Sequence, residues 1–351
     1  MIRDTDKLNA LLADVHAWVR EVAHPNEERV ARDDEIPAEI VADMAARGFF
    51  GWSIPEEYGG LGLTTEELIL GALELSQCAV AYRARVGTNT GIGSEALVAD
   101  GTEEQKRRFL PRLASGAATG CLALTEPNAG SDASNIETTA RRDGDVYVLD
   151  GMKCYITNAP IADLFTVFAR TDPETTGARG VSAFIVESGT PGLSTSAGYR
   201  MMGQSGSPVG EVRFEGCRVP AENLIGGVEG LGFKTAMKVL NKQRIHLAAL
   251  CTGPAIRMLD LAMEHAQGRE QSGRPIIDFQ LVAALLADCQ TEIHAARALI
   301  LETARARDAG RDIALEASIC KYFASEMCGR VADRAVQVFG GAGYVANHSP
   351  I

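Results

Sequence analysis

The chain has 351 residues, of which 46% are hydrophobic and 23% charged, a composition that is typical of a globular protein and excludes a disordered one. The formal net charge of -12 disfavours general binding to nucleic acid or to anionic membranes, because both need a basic surface. The length allows two or three packed units, each with its own core.

The eight cysteines include no Cys-x-x-Cys pair and no histidine at metal-ligand spacing, so we expect buried thiols in a reducing compartment and no metal. The first residues lack the apolar segment of a signal peptide. No apolar run of about 20 residues, the length that spans a membrane, occurs in the sequence. We therefore expect a cytoplasmic protein without a membrane span.

The first third of the sequence has helical periodicity. Apolar residues at three- and four-residue steps over 8–22 predict a helix that ends at Pro25, and a second helix is predicted over 36–48. After a turn-rich loop, Thr64 and Glu67 have the spacing of a capping box at the start of a third helix.

Further helices are predicted at 92–99 and 103–113, and near Gly120 the periodicity changes. Short segments rich in Val, Ile, Phe and Tyr then alternate with turns as far as Pro220, which predicts a compact antiparallel β unit. No helices alternate with these strands, so a parallel dinucleotide-binding fold is excluded. The glycine-rich run at 340–343 follows a helical pattern and is a weak candidate for a nucleotide-binding turn.

Two polar segments follow strands in this unit. The apolar run that starts at Leu122 ends in a tight polar loop that can turn backbone N–H groups toward an anion. Asp150 and Gly151 predict the turn of a hairpin whose second strand contains Tyr155. We expect the two polar ends to face one ligand.

From Leu224 onward the pattern is helical again. Long amphipathic segments predict a helix bundle, with a kink or stop at Gly253-Pro254. The predicted fold class is α+β, with a helical domain at 1–118, an antiparallel β-barrel or sandwich at 119–222 and a helix bundle at 223–351.

Four motifs in this order resemble those of the acyl-CoA dehydrogenase family, and the resemblance covers essentially the whole chain. They are Thr125-Glu126-Pro127-Asn128-Ala129-Gly130-Ser131-Asp132 with Lys153-Cys154-Tyr155-Ile156-Thr157-Asn158, Phe214-Glu215-Gly216-Cys217-Arg218-Val219-Pro220, Arg269-Glu270-Gln271-Ser272-Gly273-Arg274 and Gln337-Val338-Phe339-Gly340-Gly341-Ala342-Gly343-Tyr344. The resemblance implies a flavoprotein that binds FAD between the β domain and the bundle.

The first motif then gives one side of the flavin site. The resemblance implies that the strand with Leu122 and Leu124 lies along the flavin and that Thr125 hydrogen-bonds its pyrimidine edge. Ser131 is expected near the FAD pyrophosphate and near the substrate. Alone, these residue types are ordinary turn and capping residues.

The second segment of this first motif, at 153–158, supplies an aromatic ring and a hydroxyl. Tyr155 stands where the family has an aromatic residue, commonly Trp, beside the isoalloxazine. Thr157 is expected to donate toward flavin N5, where a hydrogen bond stabilises the reduced cofactor.

The later motifs imply an oligomer. The resemblance places Arg269, Gln337 and Gly341 on the FAD held by a neighbouring subunit, and therefore implies a homotetramer arranged as a dimer of dimers. Ser272 departs from the pattern, because the family usually has Phe there, packed on the adenine.

The implied reaction is oxidation of an acyl-CoA to the trans-2-enoyl-CoA in fatty acid metabolism, with electrons passed to an electron-transfer flavoprotein. A carboxylate removes a proton next to the thioester carbonyl while hydride leaves the neighbouring carbon for the flavin. Arg244 matches an Arg near the buried end of the substrate, and Asn241 is expected to contact the CoA portion. Both also fit polar residues on an exposed helix face.

The catalytic base has no visible match. The family's glutamate follows the second signature, and we expect it beyond Ile351, in terminal helices that this sequence lacks. The alternative position, directly before Arg244, holds Gln243, which cannot act as a base.

Two other function classes remain open. One is an acyl-CoA oxidase or flavin monooxygenase on the same scaffold, and the other is a non-catalytic homologue, which Gln243 and Ser272 favour.

Overall fold

The computed structural model describes residues 1–345, which form two compact units. The helical unit contains Met1–Glu27, Thr64–Arg83 and the chain from Arg244 onward, and the sheet unit contains Glu28–Leu63 and Ala84–Gln243. The predicted domain boundaries at 118 and 222 stay a prediction.

Helices account for most of the chain outside the sheet. They are α1 (Thr5–Trp18), α2 (His24–Asp33), α3 (Ala38–Ala46), α4 (Thr65–Leu75), α5 (Val80–Gly87), α6 (Glu95–Asp100), α7 (Glu103–Ala114), α8 (Gly232–Gly268), α9 (Gln280–Asp308) and α10 (Ala314–Phe339). Two π-helical turns, Val19–Ala23 and Thr88–Ile92, follow α1 and α5. The predicted capping box is present, with the Thr64 hydroxyl and the Glu67 carboxylate each accepting the other's backbone N–H.

The sheet unit contains one seven-stranded sheet. Its strands are β1 (Gly120–Ala123), β2 (Thr139–Asp143), β3 (Val146–Thr157), β4 (Leu164–Arg170), β5 (Val181–Glu187), β6 (Leu193–Thr195) and β7 (Val209–Pro220). The order is β1-β4-β2-β3-β7-β6, with β5 paired to β4. The helical unit has a two-stranded hairpin, β8 (Glu270–Gln271) and β9 (Arg274–Pro275).

The predicted architecture of helices, β domain and helix bundle is confirmed. The sheet is mixed in detail, because β1 pairs parallel with β4 while the longest pairings, β3 with β7 and β4 with β5, are antiparallel. The chain between β1 and β4 is long enough for the crossover that parallel pairing needs. Buried apolar side chains such as Phe165, Phe184 and Phe214 fill the core on one face.

The hairpin turn predicted at Asp150-Gly151 is wrong. Both residues lie inside the continuous strand β3, where the register against β7 shifts between Leu149 and Gly151. The turn is at Gly144 (φ 67°), between β2 and β3. Gly151 (φ 147°) is required at the bulge, because a Cβ there would lie 2.6 Å from the Thr138 hydroxyl.

Two predicted helix ends are also wrong. The first helix continues beyond Pro25 as α2, because the π-helical turn before it shifts the backbone hydrogen bonds around the missing proline N–H. Helix α8 continues through Gly253-Pro254. A Cβ at Gly253 would lie 2.5 Å from the Ser76 side chain, so close packing on α4 fixes this glycine and the helix there.

Helix α8 is long and apolar enough to cross a membrane by these two criteria alone, and half of its most apolar stretch is buried inside the structure. Core helices of globular proteins meet the same criteria. The expected absence of a membrane span therefore stays a prediction.

Asn89, in the π-helical turn Thr88–Ile92, connects three backbone segments of the sheet unit. Its buried amide donates to the carbonyls of Leu113 (3.0 Å) and Ala118 (2.7 Å) and accepts the N–H of Gly120 at 2.9 Å. These bonds fix the point at which β1 begins. A π-turn inserts a residue into a helix and is common next to functional sites.

We expect Asn89→Ala to lower the free energy of unfolding of the sheet unit by about 3 kcal/mol, because three buried backbone groups lose their partners. The two tryptophans, Trp18 and Trp52, lie in different units. In a Trp18→Phe background, the fluorescence of Trp52 during urea titration therefore reports the sheet unit. The exposed Asn128, which among residues 1–345 makes a single side-chain bond, 3.5 Å long, is the control: Asn128→Ala should change stability by less than about 0.5 kcal/mol. Equal effects of the two variants would contradict the role of Asn89.

Candidate functional site

The two polar segments predicted to face one ligand lie side by side in the sheet unit. After β1 the chain stays extended through Thr125, whose carbonyl accepts the Cys154 N–H at 3.0 Å. We call residues 122–125 and 153–158 the two-strand wall. Leu122 and Thr125 are half-buried and Leu124 is buried, so the wall has an apolar body and a polar end.

A buried ion pair holds the wall together. The Lys153 ammonium donates to Glu126 Oε1 (2.6 Å) and to the Leu124 carbonyl (3.2 Å), and both charged side chains are at most 3% exposed. Glu126 also accepts the N–H groups of Glu137 (2.5 Å) and Thr138 (3.0 Å). Both charges are thus compensated, which a buried pair requires.

Both groups have shifted pKa values. Burial opposes ionisation of Glu126, but the Lys153 ammonium and the hydrogen bonds from residues 137 and 138 outweigh it and hold the pKa of Glu126 below its ordinary value. Burial lowers the pKa of Lys153 to about 8, and Glu126 acts in the opposite direction. At neutral pH the pair is therefore ionised.

Tyr155 lies in a β-bulge at the edge of the wall. Between Lys153 and Ile156, two residues of β3 oppose one residue of β7. Tyr155 has φ 58°, a left-handed conformation that costs a non-glycine residue about 1–3 kcal/mol. The bulge turns its side chain outward, where it is 68% exposed and its ring lies against the Tyr199 ring at a centroid distance of 5.3 Å. A strained, exposed aromatic ring is typical of a ligand contact.

The far end of the wall is held by the π-helical turn Thr88–Ile92, the same turn whose Asn89 fixes the start of β1. Thr157 is half-buried, and the buried Asn158 (φ 64°) donates from its amide to the Thr88 hydroxyl at 2.9 Å. Gln243 on α8 also lies against this turn. A Cβ at Gly91 would be 2.5 Å from Gln243 Oε1, so only glycine permits this approach.

The remaining predicted residues of the sheet unit lie at its surface or edge. Ser131 is exposed in the loop after the wall, where the Asp132 carboxylate accepts hydrogen bonds from Ser134 and Asn135. Asn241 on α8 is half-buried. The roles of Ser131 and Asn241 stay predictions.

The other predicted residues belong to the helical unit. Arg244 is half-buried on α8, while Arg269, Gln337 and Gly341 are all exposed. Ser272 (φ 53°) and the next glycine form the tight turn between β8 and β9. The base expected beyond Ile351 lies outside the described residues.

Sequence reasoning missed the ion pair and the π-turn. The available signal for the pair was one acidic and one basic residue, Glu126 and Lys153, within two otherwise apolar or turn-forming motifs. Asn89 had no such signal, because its role depends on three distant backbone groups. Within residues 1–345, no three His, Cys, Asp or Glu side chains lie together as a metal site would require.

We expect Lys153→Met to lower the free energy of unfolding of the sheet unit by about 3–5 kcal/mol, because Glu126 then stays buried without its counter-charge. The pH dependence gives a second signature. Between pH 8 and 10.5 the unfolded chain binds more protons at Lys153 than the folded chain does, so the contribution of this residue to stability rises with pH.

Urea titrations at pH 7.5 and 9.5 test this, with Lys153 and with Lys153→Met, both in the Trp18→Phe background so that Trp52 reports the sheet unit. The stability difference between the two proteins should increase at the higher pH. The exposed pair of Arg218 and Asp143, 3.1 Å apart, provides the control: Arg218→Met should have an effect below about 1 kcal/mol. A Lys153→Met effect of that size would show that the buried pair is unimportant, and an effect independent of pH would contradict the lowered pKa of Lys153.

Comparison with known proteins supports the resemblance along the whole chain. The sequence matches the families described as acyl-CoA dehydrogenase N-terminal domain (residues 5–117), middle domain (121–217) and C-terminal domain (230–351). An acyl-CoA dehydrogenase of Bacillus subtilis (strain 168) is 39% identical over 334 residues, which cover 95% of this chain and 88% of the relative.

Solved structures are also similar to this chain along nearly its whole length. A structure from work on the electron-transferring flavoprotein of Acidaminococcus fermentans is 38% identical, with a TM-score of 0.95 over 99% of this chain and 91% of that one. Butyryl-CoA dehydrogenase from Megasphaera elsdenii is 35% identical, with a TM-score of 0.94 over 98% of this chain and 91% of that one. The fold, the wall and these matches together show that the chain belongs to the acyl-CoA dehydrogenase family.

Proposed function

We propose that this chain is an FAD-dependent acyl-CoA dehydrogenase that converts an acyl-CoA thioester to the trans-2-enoyl-CoA. The observation that carries the proposal is the two-strand wall. The two segments of the first family motif meet there through the hydrogen bond from Cys154 to Thr125, and a strained tyrosine presents its ring at the edge.

The residues of the wall fit FAD. Tyr155 offers an exposed aromatic face, and the half-buried hydroxyls of Thr125 and Thr157 can donate hydrogen bonds to polar atoms of a flavin. Ser131 is accessible to a phosphate. When bound, FAD accepts the hydride that leaves the acyl chain.

The protein has to bind the thioester, exclude water and remove a proton next to the carbonyl. An amide takes up no proton near neutral pH, so Gln243 can only donate or accept hydrogen bonds. Its Nε2 is buried and has no hydrogen-bond partner among the described residues. We propose that the base is a carboxylate beyond Ile351, as the resemblance implies.

Electrons then pass to an electron-transfer flavoprotein, which the structural similarity to a protein from such a system supports. We further propose a cytoplasmic location and a role in fatty acid metabolism. The eight cysteines carry free thiols, and six of them are buried, as expected in a reducing compartment.

Anaerobic titration of the flavin-loaded protein with acyl-CoA thioesters tests the activity. We expect bleaching of the visible flavin absorbance, and reoxidation by an electron-transfer flavoprotein faster than by oxygen. Rapid oxygen consumption during turnover would identify an oxidase instead. Absence of bleaching by any thioester would favour a non-catalytic protein.

We also propose that the chain assembles as a dimer of dimers. Leu315, Ile319 and Tyr322 form a stripe on α10 with exposures of 69%, 44% and 69%. Exposed apolar patches of this kind occur at protein–protein contacts, which supports the proposed assembly. Arg269 and Gln337 are exposed in the same unit and are available to a partner's cofactor.

The double variant Leu315→Glu, Tyr322→Glu should elute from size-exclusion chromatography with light scattering as a smaller species and should retain less flavin, because charges at a contact oppose association. Lys321→Glu, at an exposed position away from the stripe, is the control and should leave the mass unchanged. A wild-type monomer, or an intact oligomer in the double variant, would refute this assembly.

A further inference from the structure

The exposed ring of Tyr155 is one half of an aromatic pair at the edge of the two-strand wall. It lies against the ring of Tyr199, with a centroid distance of 5.3 Å and an angle of 35° between the ring planes. Tyr199 is half-buried in the segment between β6 and β7, whereas Tyr155 is exposed. One ring of the pair is therefore packed into the sheet unit, and the other faces solvent.

Two other aromatic pairs of the sheet unit belong to its core. Phe49 packs on Trp52 and Tyr147 packs on Phe184, and each of these four residues is at most 1% exposed. Burial of apolar surface accounts for such pairs. It does not account for a pair whose outer ring, that of Tyr155, stays in water, and an exposed aromatic surface is typical of a binding site.

Hydrogen bonds fix Tyr199 at both its backbone and its hydroxyl. Its N–H donates to the Val209 carbonyl at 2.7 Å, and its hydroxyl donates to Glu211 Oε1 at 3.2 Å. Glu211 is fixed in turn, because Arg213 donates to its other carboxylate oxygen at 3.0 Å and its own N–H donates to the Ser196 hydroxyl at 2.9 Å. Tyr199 is thus bonded to β7, the strand that pairs with β3.

The protonation states keep the bond between Tyr199 and Glu211 in place. Burial, followed by the bond to Glu211, raises the pKa of Tyr199. The bond from Arg213, followed by the bond from Tyr199, holds the pKa of Glu211 below its ordinary value. At neutral pH a protonated hydroxyl therefore donates to an ionised carboxylate, which is a stronger arrangement than a bond between neutral groups.

Tyr155 needs such a neighbour. The bulge sets the direction in which its side chain leaves the backbone, but it does not stop rotation about the side-chain bonds. Rotation that has to stop when a ligand binds weakens binding, so a side chain that is already held gives higher affinity. The fixed ring of Tyr199 limits the rotation of Tyr155 before any ligand arrives.

We propose that Tyr199 is a positioning residue of the flavin site, which holds the Tyr155 ring in the orientation that binds the isoalloxazine. Tyr155 contacts the cofactor, and Tyr199 acts through Tyr155. The inference rests on the proposed FAD-dependent function and deepens it.

Equilibrium binding of FAD to the full chain tests the proposal. Tyr199→Leu removes the supporting ring and should raise the Kd for FAD about 10-fold, because the Tyr155 ring must then be ordered by the cofactor. Tyr199→Phe keeps the ring but loses the bond to Glu211, and it should raise Kd by a smaller factor. The control is Tyr58→Phe, which removes a tyrosine-to-carboxylate bond of 2.9 Å to Glu103 in the same unit and should leave Kd unchanged.

A Tyr155→Leu background separates positioning from other roles. If Tyr199 acts through Tyr155, adding Tyr199→Leu to Tyr155→Leu causes no further loss of FAD affinity. An equal loss in both backgrounds would overturn the proposal, because Tyr199 would then contact FAD itself or act through the fold. The fluorescence decay of bound FAD gives a spectroscopic readout: a tyrosine ring held against a flavin quenches its emission, so Tyr199→Leu should lengthen the decay and Tyr58→Phe should not.

The outcomes distinguish this proposal from the dehydrogenase proposal. If FAD affinity depends on Tyr199 as expected but no acyl-CoA bleaches the flavin, the positioning role stands and the dehydrogenase proposal fails. If acyl-CoA bleaches the flavin and Tyr199→Leu binds FAD as tightly as wild type does, the positioning role is wrong and the dehydrogenase proposal stands. If wild type binds no FAD, both proposals fail.

Discussion

The buried ion pair between Lys153 and Glu126 is the interaction on which the candidate site depends. It connects the chain after β1 to the middle of β3, and it also fixes the backbone at residues 137 and 138. A buried pair contributes little net stability compared with apolar packing, but it needs good geometry, and loss of one partner leaves a buried charge uncompensated. The structure thus uses charge to set the spacing of the two-strand wall rather than to hold the sheet together.

The π-helical turn Thr88–Ile92 complements this pair at both ends of the wall. Asn89 fixes the start of β1, and Thr88 receives the amide of Asn158 at the end of β3. Gly91 in the same turn makes room for Gln243. One inserted helical residue therefore positions both strands and the helix that follows them, which explains why an irregular turn persists in the core.

The sequence predicted the fold class and the order of its parts well, because apolar periodicity and capping patterns are local. It failed where distant partners decide the backbone. Asp150 and Gly151 satisfy a hairpin turn and a bulge equally well, and only pairing with β7 selects the bulge. Pro25 and Pro254 normally end helices, yet a π-turn and close packing on Ser76 allow both helices to continue.

The sequence likewise predicted some parts of the candidate site and missed others. Family motifs predicted that the segments containing Thr125 and Tyr155 face one ligand, and in the structure the Cys154 N–H donates to the Thr125 carbonyl. The buried ionic contacts were not visible in the sequence, because burial of a charged side chain depends on tertiary packing.

The left-handed backbone of Tyr155 has a consequence for engineering. Glycine or asparagine would adopt that conformation at lower cost. Selection of variants for thermal stability alone would therefore favour glycine or asparagine at position 155. Selection for binding of the proposed flavin would favour an aromatic residue. At this one position, stability of the chain alone and binding of the proposed flavin favour different residues.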